Sequence, residues 1–359
     1  MTFKKKVYLF FSILVFIIGS IGFINYIMDP FQIFRKHDHG FDSNQRYQNV
    51  GLINSYLNSS DGYDSIIIGT SVTENFIPPE VENLPGWGKV LKLSAAGASL
   101  FTQKKTIDKA LRTKKVKHVL WLLNSNGFQK GPTELTVFDR GFNSLLYLYD
   151  ENPFNDVNYL LNYSTLNTSL SLIYEKKVKD LDKLNFWGNS YTQAFTKFSS
   201  IENIKQLENQ YDNSRYMKKK HSYEYVWNKP FPSLDPILFD TIKNNPEIEF
   251  IFTLPPYSYF RLVSEYPHRF ALIKAILDEK FTNVKIFGFD NEEFVKNLYH
   301  YKDTEHYSAE VNSYMIYKMS RGENQITLES FNAYKKSVID NLNSYKKIYS
   351  KTNHLYNSY

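Results

Sequence analysis

The chain has 359 residues, enough for one large domain or two modest ones. It contains no cysteine, which excludes disulfide bonds and thiol chemistry. The net charge of +6 is mild and spread along the chain, so the composition argues against nucleic-acid binding. The 28 Tyr and 28 Phe exceed what a core needs, and aromatic rings of this kind can stack on sugar rings in a groove.

The first predicted element is an apolar helix at the N-terminus. A triple lysine at 4–6 precedes a run from 7 to 28 without any charged residue, and about 20 apolar residues can cross the hydrocarbon core of a membrane. A buried helix and a cleaved signal peptide are the alternatives, but the run is long for a signal peptide and no small-residue cleavage site follows it. We expect residues 1–28 to form a cytoplasmic tip and an uncleaved single-pass anchor. The lysines should stay in the cytoplasm, which places the main domain outside the cytoplasmic membrane, in the periplasm or at the cell surface.

The rest of the chain alternates apolar runs with helical patterns. Residues 29–60 are polar and mixed, and predict a juxtamembrane linker with a short helix at 49–57. Near-continuous apolar runs separated by helices are typical of a parallel sheet that is covered on both faces. We therefore expect a three-layer α/β/α domain over 61–325. Strands are expected at 65–70, 89–97, 117–127, 248–258 and 283–290, and helices at 103–115 and 268–281.

Two segments depart from this alternation. Residues 128–245 are rich in Tyr, Asn, Phe and Ser, with a helical pattern at 166–184, and are expected to form an insertion between the third and fourth strands. A cap over a functional site and a structural elaboration are equally good interpretations of this insertion. Residues 326–359 are expected to form a helical extension at the C-terminus.

The first candidate site residue is a serine at the end of the first strand, in the stretch "IIIGTS" at 66–71. Gly69 permits a sharp turn, so the residues after it would project over the edge of the sheet. Ligands bind at this edge in doubly wound sheets, and a nucleophilic Ser71 would sit there. A Gly-Thr-Ser triplet alone is more often an ordinary turn.

The second candidate is an acid–histidine pair near the C-terminus. Asp303 and His306 are three positions apart, so one turn of chain could bring both side chains to the same side. Ser308 is the predicted N-cap of the helix that follows. A histidine at such a place can act as a general base, with the aspartate holding its tautomer. The alternative is a solvated Asp–His pair at a helix start.

Two further strand ends carry groups that could stabilise an oxyanion. Gly97 ends the second expected strand. Its N–H could face an oxyanion, or the glycine could simply allow tight packing of small residues. Asn124 and Asn126 lie at the end of the third expected strand, and either amide could donate to the same oxyanion. Asn126 with Gly127 is also a common turn dipeptide.

The order Ser, Gly, Asn, Asp-x-x-His resembles that of the SGNH (GDSL-like) hydrolase superfamily, over about 65–130 and 248–320. The stretches "IIIGTSVTENF" and "DTEHYSAEVN" together most resemble those of membrane-anchored members associated with bacterial cell-surface polymers. These include relatives of the lipoteichoic-acid D-alanylation protein and of the alginate O-acetylation proteins. Two departures stand out: Thr70 occupies the place of the family's aspartate, and the third block has no clear Gly-x-Asn-Asp.

The resemblance implies a flavodoxin-like parallel sheet and acyl transfer through a covalent acyl-serine. Ser71 would be the nucleophile, His306 the general base and Asp303 its orienting acid, with the N–H groups of Ser71 and Gly97 in the oxyanion hole. Water as acceptor would give an esterase, and a sugar hydroxyl an O-acyltransferase. Neither metal nor organic cofactor is expected.

The expected partners are a cell-surface polysaccharide or related polymer and an acyl donor, with a membrane-bound acyltransferase as one source of the acyl group. The competing hypothesis is a catalytically inactive protein that binds glycan or scaffolds a cell-envelope assembly. The dense aromatic insertion would serve that role equally well.

Four other polar groups are interpreted as structural or left without a role. The His-Asp-His stretch at 37–39 has no further ligand cluster and is more typical of a solvated loop than of a metal site. Asp290 ends the fifth strand without a histidine beside it, and His118 opens an apolar strand. Asp139 and Arg140 lie in the insertion, and no mechanism is assigned to them.

Overall fold

The structure is a computed structural model, and it describes residues 2–37, 49–124, 128, 145–175, 231 and 234–345. One sheet contains the strands β1 (Tyr63–Gly69), β2 (Lys89–Ser94), β3 (His118–Leu122), β4 (Glu249–Thr253), β5 (Val284–Phe287) and β6 (Gln325–Ile326). Their order is β2-β1-β3-β4-β5-β6, with β6 antiparallel to β5 and all other neighbours parallel. The five parallel strands follow the order of flavodoxin-like doubly wound sheets. The predicted α/β class with a parallel sheet is confirmed, and β6 is an addition.

The helices alternate with the strands along the chain. They are α1 (Phe3–Met28), α2 (Val50–Leu52) with a π-helical turn at 53–57, α3 (Pro78–Val81), α4 (Leu100–Arg112), α5 (Val157–Leu160), α6 (Tyr163–Glu175), α7 (Asp240–Lys243) after a π-helical turn at 234–239, α8 (Tyr259–Asp278), α9 (Ala309–Ser320) and α10 (Phe331–Asn343). Short 3-10 turns lie at 71–73, 146–149, 293–296 and 298–300. The expected short helix at 49–57 is present as α2 and its π-helical turn.

The expected strands and helices exist, but several of their limits were wrong. β2 ends at Ser94 and not at 97, because the chain turns through Gly97 with a positive φ of 67°. β4 ends at Thr253, before two prolines that cannot donate to a strand ladder. α8 begins at Tyr259, well before the expected residue 268. The expected start was too late because the helix continues through Pro267, and proline ordinarily breaks a helix.

Hydrophobic clusters cover both faces of the sheet. Side chains alternate along a strand, so Ile66 and Ile68 of β1 pack with Ile107 of α4 in one cluster, while Ile67 packs with Met315 of α9 in the other. All three isoleucines are fully buried. Burial on both faces explains why the strands appear in the sequence as continuous apolar runs.

The N-terminal helix α1 has 26 residues, and its most apolar window has a mean hydropathy of 2.6 with no part buried. It is therefore long and apolar enough to cross a membrane. Its end is capped by Asp29, whose side chain accepts the N–H groups of Ile33, Phe34 and Arg35 and the hydroxyl of Tyr159. Burial raises the pKa of Asp29, although these donors favour its charged form. This buried carboxyl ties α1 to the chain that follows it and to α5.

The segment after α1 is packed into the protein. Phe31, Ile33 and Val50 are buried in one cluster with Tyr159. The described part of the insertion, 145–175, therefore lies against the segment that leaves α1. Asn25 of α1 also hydrogen-bonds to this part, through Leu160 O and the Ser169 hydroxyl.

Candidate active site

Ser71 begins the 3-10 turn that directly follows β1. The turn is tight, because a Cβ on Gly69 would lie 2.3 Å from Thr73 Cγ2. Thr73 Oγ1 lies 2.6 Å from both Thr70 O and Ser94 Oγ, which fixes the turn against the end of β2. Glycine is thus required at position 69, two residues before Ser71, and the backbone around Ser71 is held in place.

Ser71, His306 and Asp303 form a continuous chain of hydrogen bonds. Ser71 Oγ lies 2.7 Å from His306 Nε2, although the two residues are 235 positions apart. On the other side of the ring, His306 Nδ1 lies 2.7 Å from Asp303 Oδ2. If Nδ1 carries the proton toward the carboxylate, Nε2 is left to accept a proton from the serine. A hydroxyl, a base and an orienting acid in this order are the parts of a nucleophilic catalyst.

The Asp303 carboxylate is fixed through both oxygens. Oδ2 contacts the His306 ring, and Oδ1 accepts the backbone N–H groups of Glu305 and His306 at 2.8 Å each. Burial acts to raise the pKa of Asp303, but the hydrogen bonds and charge of His306 outweigh it and lower the pKa. Asp303 is therefore ionised near neutral pH. The side chains of Asp303 and His306 are 44% and 22% exposed, so the site is open on one side.

The loop that carries Asp303 and His306 is closed at its base. Tyr301 and Tyr307 form an antiparallel bridge, and Lys302 N–H donates to His306 O at 2.8 Å. Both tyrosines are buried, and the hydroxyl of Tyr301 donates to Pro256 O at 2.8 Å.

The chain after β4 supports the tip of this loop. Ser258 donates both its N–H and its hydroxyl to Thr304 O, at 3.1 and 2.9 Å. The histidine is thus held by a rigid loop.

Two residues that the sequence did not indicate connect the serine turn to its surroundings. Asn75 donates its side-chain N–H to Tyr307 O at 3.3 Å, which links the serine turn to the histidine loop. Lys92, in β2, donates to Glu74 O at 2.6 Å and to Phe76 O at 3.1 Å. A lysine inside an apolar strand was the available signal for Lys92. Nothing in the sequence around Asn75 distinguishes it from an ordinary loop residue.

Gly97 lies in the turn that follows β2, beside the serine turn. Ala98 N–H donates to Ala95 O across this turn, and Ala95 N–H donates to Gly69 O at the end of β1. The positive φ of 67° at Gly97 is the conformation that glycine adopts without strain.

The backbone N–H of Ser71 is the first of its 3-10 turn. The first N–H groups of a helical turn have no acceptor within that turn, so no carbonyl of this turn accepts the N–H of Ser71.

Asn124 follows β3 on the other side of β1, and Asn126 lies outside the described residues. Ile68 pairs with Trp121 in the parallel ladder, so the same register carried forward would set Ser71 opposite Asn124. Asn124 is half-buried. The described candidates Ser71, Gly97 and Asn124 thus follow three adjacent strands at one edge of the sheet.

Ser308 is the N-cap residue of α9, as predicted, and its hydroxyl makes no capping hydrogen bond. Its β-region backbone geometry, and not side-chain capping, marks the start of the helix. Asp290 forms a fully buried pair with Arg269, with two contacts of 2.7 Å. His118 stacks on Trp87 and contacts Glu249 at 3.3 Å. Both residues are structural, in agreement with the sequence analysis.

The His-Asp-His stretch at 37–39 and the pair Asp139–Arg140 are only partly within the described chain. His37 Nε2 lies 3.8 Å from Asp29 Oδ2, and Asp38, His39 and the 139–140 pair lie outside the described residues. Among the side chains that the structure describes, no group of three or more His, Cys, Asp or Glu could hold a metal ion.

Comparisons with family models, with curated proteins and with solved structures gave no match to this chain. The interpretation of the site therefore depends on its own geometry. That geometry is a serine hydroxyl aligned with a histidine and an aspartate, at the carboxyl edge of a parallel sheet.

Proposed function

We propose that this protein is a membrane-anchored serine acyl-transfer enzyme with a three-layer fold of SGNH type. The observation that carries the proposal is the aligned set Ser71–His306–Asp303, with 2.7 Å at each contact. These three side chains come from two loops far apart in sequence. A chance surface contact would not need the supporting bonds from Asn75 and Ser258.

The proposed reaction has two halves. Ser71 Oγ attacks the carbonyl carbon of an ester while His306 Nε2 takes the hydroxyl proton, and Asp303 stabilises the resulting imidazolium. The tetrahedral intermediate collapses, the ester bond breaks, and His306 returns its proton to the leaving alcohol. In the second half, water or a sugar hydroxyl attacks the acyl-serine and gives its proton to His306. The bond between the acyl carbon and Ser71 Oγ then breaks, His306 returns the proton to Ser71 Oγ, and the free acid or the new ester leaves.

The negative charge on the carbonyl oxygen needs donors at the same edge of the sheet. We assign the backbone N–H groups of Ser71 and Gly97 to this role, with a side-chain N–H from Asn124 or Asn126. The adjacency of the turns after β1 and β2, through the bond from Ala95 N–H to Gly69 O, supports the assignment. Donors placed in advance at a developing oxyanion are worth about 3–4 kcal/mol each in known enzymes.

The proposed substrate is a cell-surface polysaccharide or related polymer that gains or loses an acyl group. This part rests on the resemblance of the serine and histidine blocks to membrane-anchored proteins that modify such polymers. The apolar helix α1 supports it, because an anchored enzyme stays beside an envelope polymer. We propose that α1 crosses the cytoplasmic membrane with Lys4–Lys6 inside and the sheet domain outside.

The decisive experiment is labelling of the full chain in membranes with a fluorophosphonate probe, which reacts with activated serines. We expect labelling of the wild type and of Ser320→Ala, a control that removes a surface hydroxyl. Ser71→Ala and His306→Ala should lose it while keeping the wild-type melting temperature. Equal labelling of wild type and Ser71→Ala would leave the inactive glycan-binding or scaffold protein as the better hypothesis.

Topology is tested separately with a C-terminal alkaline phosphatase fusion, which is active only outside the cytoplasm. We expect an active fusion. An inactive fusion that is expressed and intact would show that the domain faces the cytoplasm, and the envelope substrate would then be excluded.

A further inference from the structure

The described part of the insertion is fastened to the last turns of α1. Asn25 of α1 is fully buried; it donates to Leu160 O at 2.8 Å and accepts the Ser169 hydroxyl at 3.0 Å. A Cβ on Gly22 would lie 3.6 Å from Leu161 Cδ2, an ordinary contact. Helices α5 and α6 therefore pack directly on α1 between about Gly22 and Asn25.

The residues at this contact are those that pack helices together in membranes. The buried side chains of α6 are Thr165 and Ser169, four positions apart. Small hydroxyl-bearing residues at this spacing let helix backbones approach closely, and polar groups such as Asn25 then hydrogen-bond across the contact.

The contact lies at the level where α1 leaves a membrane. The uncharged run 7–28 is about 33 Å long at 1.5 Å per residue, and the hydrocarbon core of a bilayer is about 30 Å thick. If the run spans the core, Asn25 lies near its outer boundary. Helices packed on Gly22 and Asn25 then lie at that boundary as well.

The surface of α5 and α6 that faces away from α1 is uncharged as far as Tyr174, one residue before the end of α6, and it exposes large apolar side chains among Asn and Ser residues. No charged residue occurs between 157 and 174, although 22% of the whole chain is charged. A helix that faces water ordinarily carries charges on its outer side. The large hydrophobic side chains exposed on this surface and in the turn before it are Phe154 (88%), Val157 (46%), Leu161 (43%), Tyr163 (81%), Leu170 (39%), Ile173 (48%) and Tyr174 (85%).

We propose that α5 and α6 lie in the outer interface of the same bilayer that α1 crosses, with their exposed apolar side chains in phospholipid. The exposed apolar residues of α1 adjoin these helices, because α5 and α6 contact α1 at Gly22 and Asn25. Tyr163 and Tyr174 suit the headgroup level, where tyrosine is enriched. α6 has 13 residues, too few to cross a bilayer but enough to lie along its surface. The protein would thus be held by three helices and could not rotate freely about a single anchor.

This inference depends on the membrane location of α1 and not on the serine chemistry. It can be tested with fluorescent labels on single cysteines, because the chain has no cysteine of its own. The full chain would be reconstituted in phospholipid vesicles with a nitroxide near the headgroup end of the acyl chains, or near their middle for the label at position 16, which lies deeper in the bilayer. Labels at Ile173→Cys and Phe154→Cys test the proposal. Phe16→Cys reports on α1, and Tyr317→Cys on α9 is the matched control, since its side chain is 57% exposed.

We expect strong quenching at positions 173 and 154, at least threefold above that at 317. If the label at position 16 is quenched, but the labels at 173 and 154 are quenched no more than the label at 317, the inference is wrong and the membrane anchor stands. No quenching at position 16 either would overturn both the inference and the membrane crossing by α1. Neither outcome affects the assignment of Ser71, which the labelling with fluorophosphonate tests independently.

Discussion

At the scale of single residues, the site depends on how firmly one imidazole ring is held. His306 is fixed by Asp303 at Nδ1 and contacts Ser71 at Nε2. The backbone N–H of His306 also donates to Asp303, so the carboxylate orients both the ring and its main chain. A single aspartate therefore contacts both the ring and the main chain of the histidine.

Replacing this aspartate by an amide should abolish most of the activity. In Asp303→Asn the amide can donate to Nδ1, which favours the wrong tautomer, and we expect kcat for p-nitrophenyl acetate to fall about 10³- to 10⁴-fold. The control is Asp340→Asn on the exposed side of α10, which should keep full activity. A loss of less than tenfold in Asp303→Asn would contradict the assigned role.

The same carboxylate also contributes stability that depends on pH. The pKa of Asp303 lies below its ordinary value of 3.8, so its charged form and the stability it adds are present above that value. Both are lost only as the pH falls through the lowered pKa. We expect the difference in the free energy of unfolding between wild type and Asp303→Asn to be constant above about pH 4 and to shrink as the pH falls further, and urea unfolding between pH 3 and pH 7 measures it.

Lys92 is the second residue with a specific expected effect. In Lys92→Met, the carbonyl groups of Glu74 and Phe76 lose their charged donor inside the protein, and we expect a loss of about 2–4 kcal/mol in the free energy of unfolding. Lys89→Met is the control, since Lys89 is exposed on the same strand and should cost less than about 0.5 kcal/mol. Urea unfolding in detergent measures both, and equal effects would show that the buried bonds carry no stability.

At the scale of elements, Ser71 follows β1, the proposed oxyanion donors follow β2 and β3, and Asp303 and His306 lie in the loop between β5 and α9. Parallel strands end at one edge, so turns that are distant in sequence become neighbours there. The serine turn needs Gly69 for its close approach to Thr73, and the next turn needs Gly97 for its positive φ. These glycines have different physical roles, although both lie at strand ends.

A pair of glycine substitutions separates turn stability from catalysis. Gly97→Ala forces a side chain into the left-handed region and should cost about 1–2 kcal/mol. Gly322→Ala costs a similar amount, because Gly322 has a φ of 69° and lies after α9, away from the site. We expect only Gly97→Ala to lower kcat, by tenfold or more, as the proposed oxyanion donor moves. Equal kcat values would remove Gly97 from the oxyanion hole.

At the scale of the whole molecule, one ionic cluster joins the amino ends of the strands. Glu249 of β4 contacts His118 of β3, Trp87 before β2 and Lys285 of β5. Hydrogen bonding from His118, with help from Lys285, lowers the pKa of Glu249 to about 2 against the effect of burial. The cluster connects parts of the sheet that do not touch the site.

Acid should weaken the fold through this cluster. A lowered pKa adds stability above the unfolded pKa, and this stability is lost as the pH falls toward 2. We expect Glu249→Gln to cost about 2 kcal/mol at pH 7 and progressively less between pH 4.5 and pH 2. Urea unfolding at several pH values measures this, with the exposed Glu247→Gln as control. A cost that does not change with pH would show that the partners of Glu249 do not lower its pKa.

The amino-acid sequence alone predicts the apolar helix, the five parallel strands and the candidate residues Ser71, Gly97, Asp303 and His306. These follow from local causes: an uncharged run long enough for a membrane, apolar runs buried on both faces, and special residues at strand ends. The ends of strands and helices were less accurate, because turns such as that at Gly97 and the proline inside α8 depend on surrounding contacts.

Only the tertiary structure decided which of these residues meet. Ser71 and His306 are brought within 2.7 Å by packing of two loops across the sheet edge, and Asn75 and Lys92 hold those loops through bonds to main-chain carbonyls. Such bonds leave no periodic pattern in the chain, because any residue supplies a carbonyl. The sequence did not predict the packing of 145–175 on α1, for the same reason. This packing depends on the fit of small side chains around Asn25 and not on a repeating pattern.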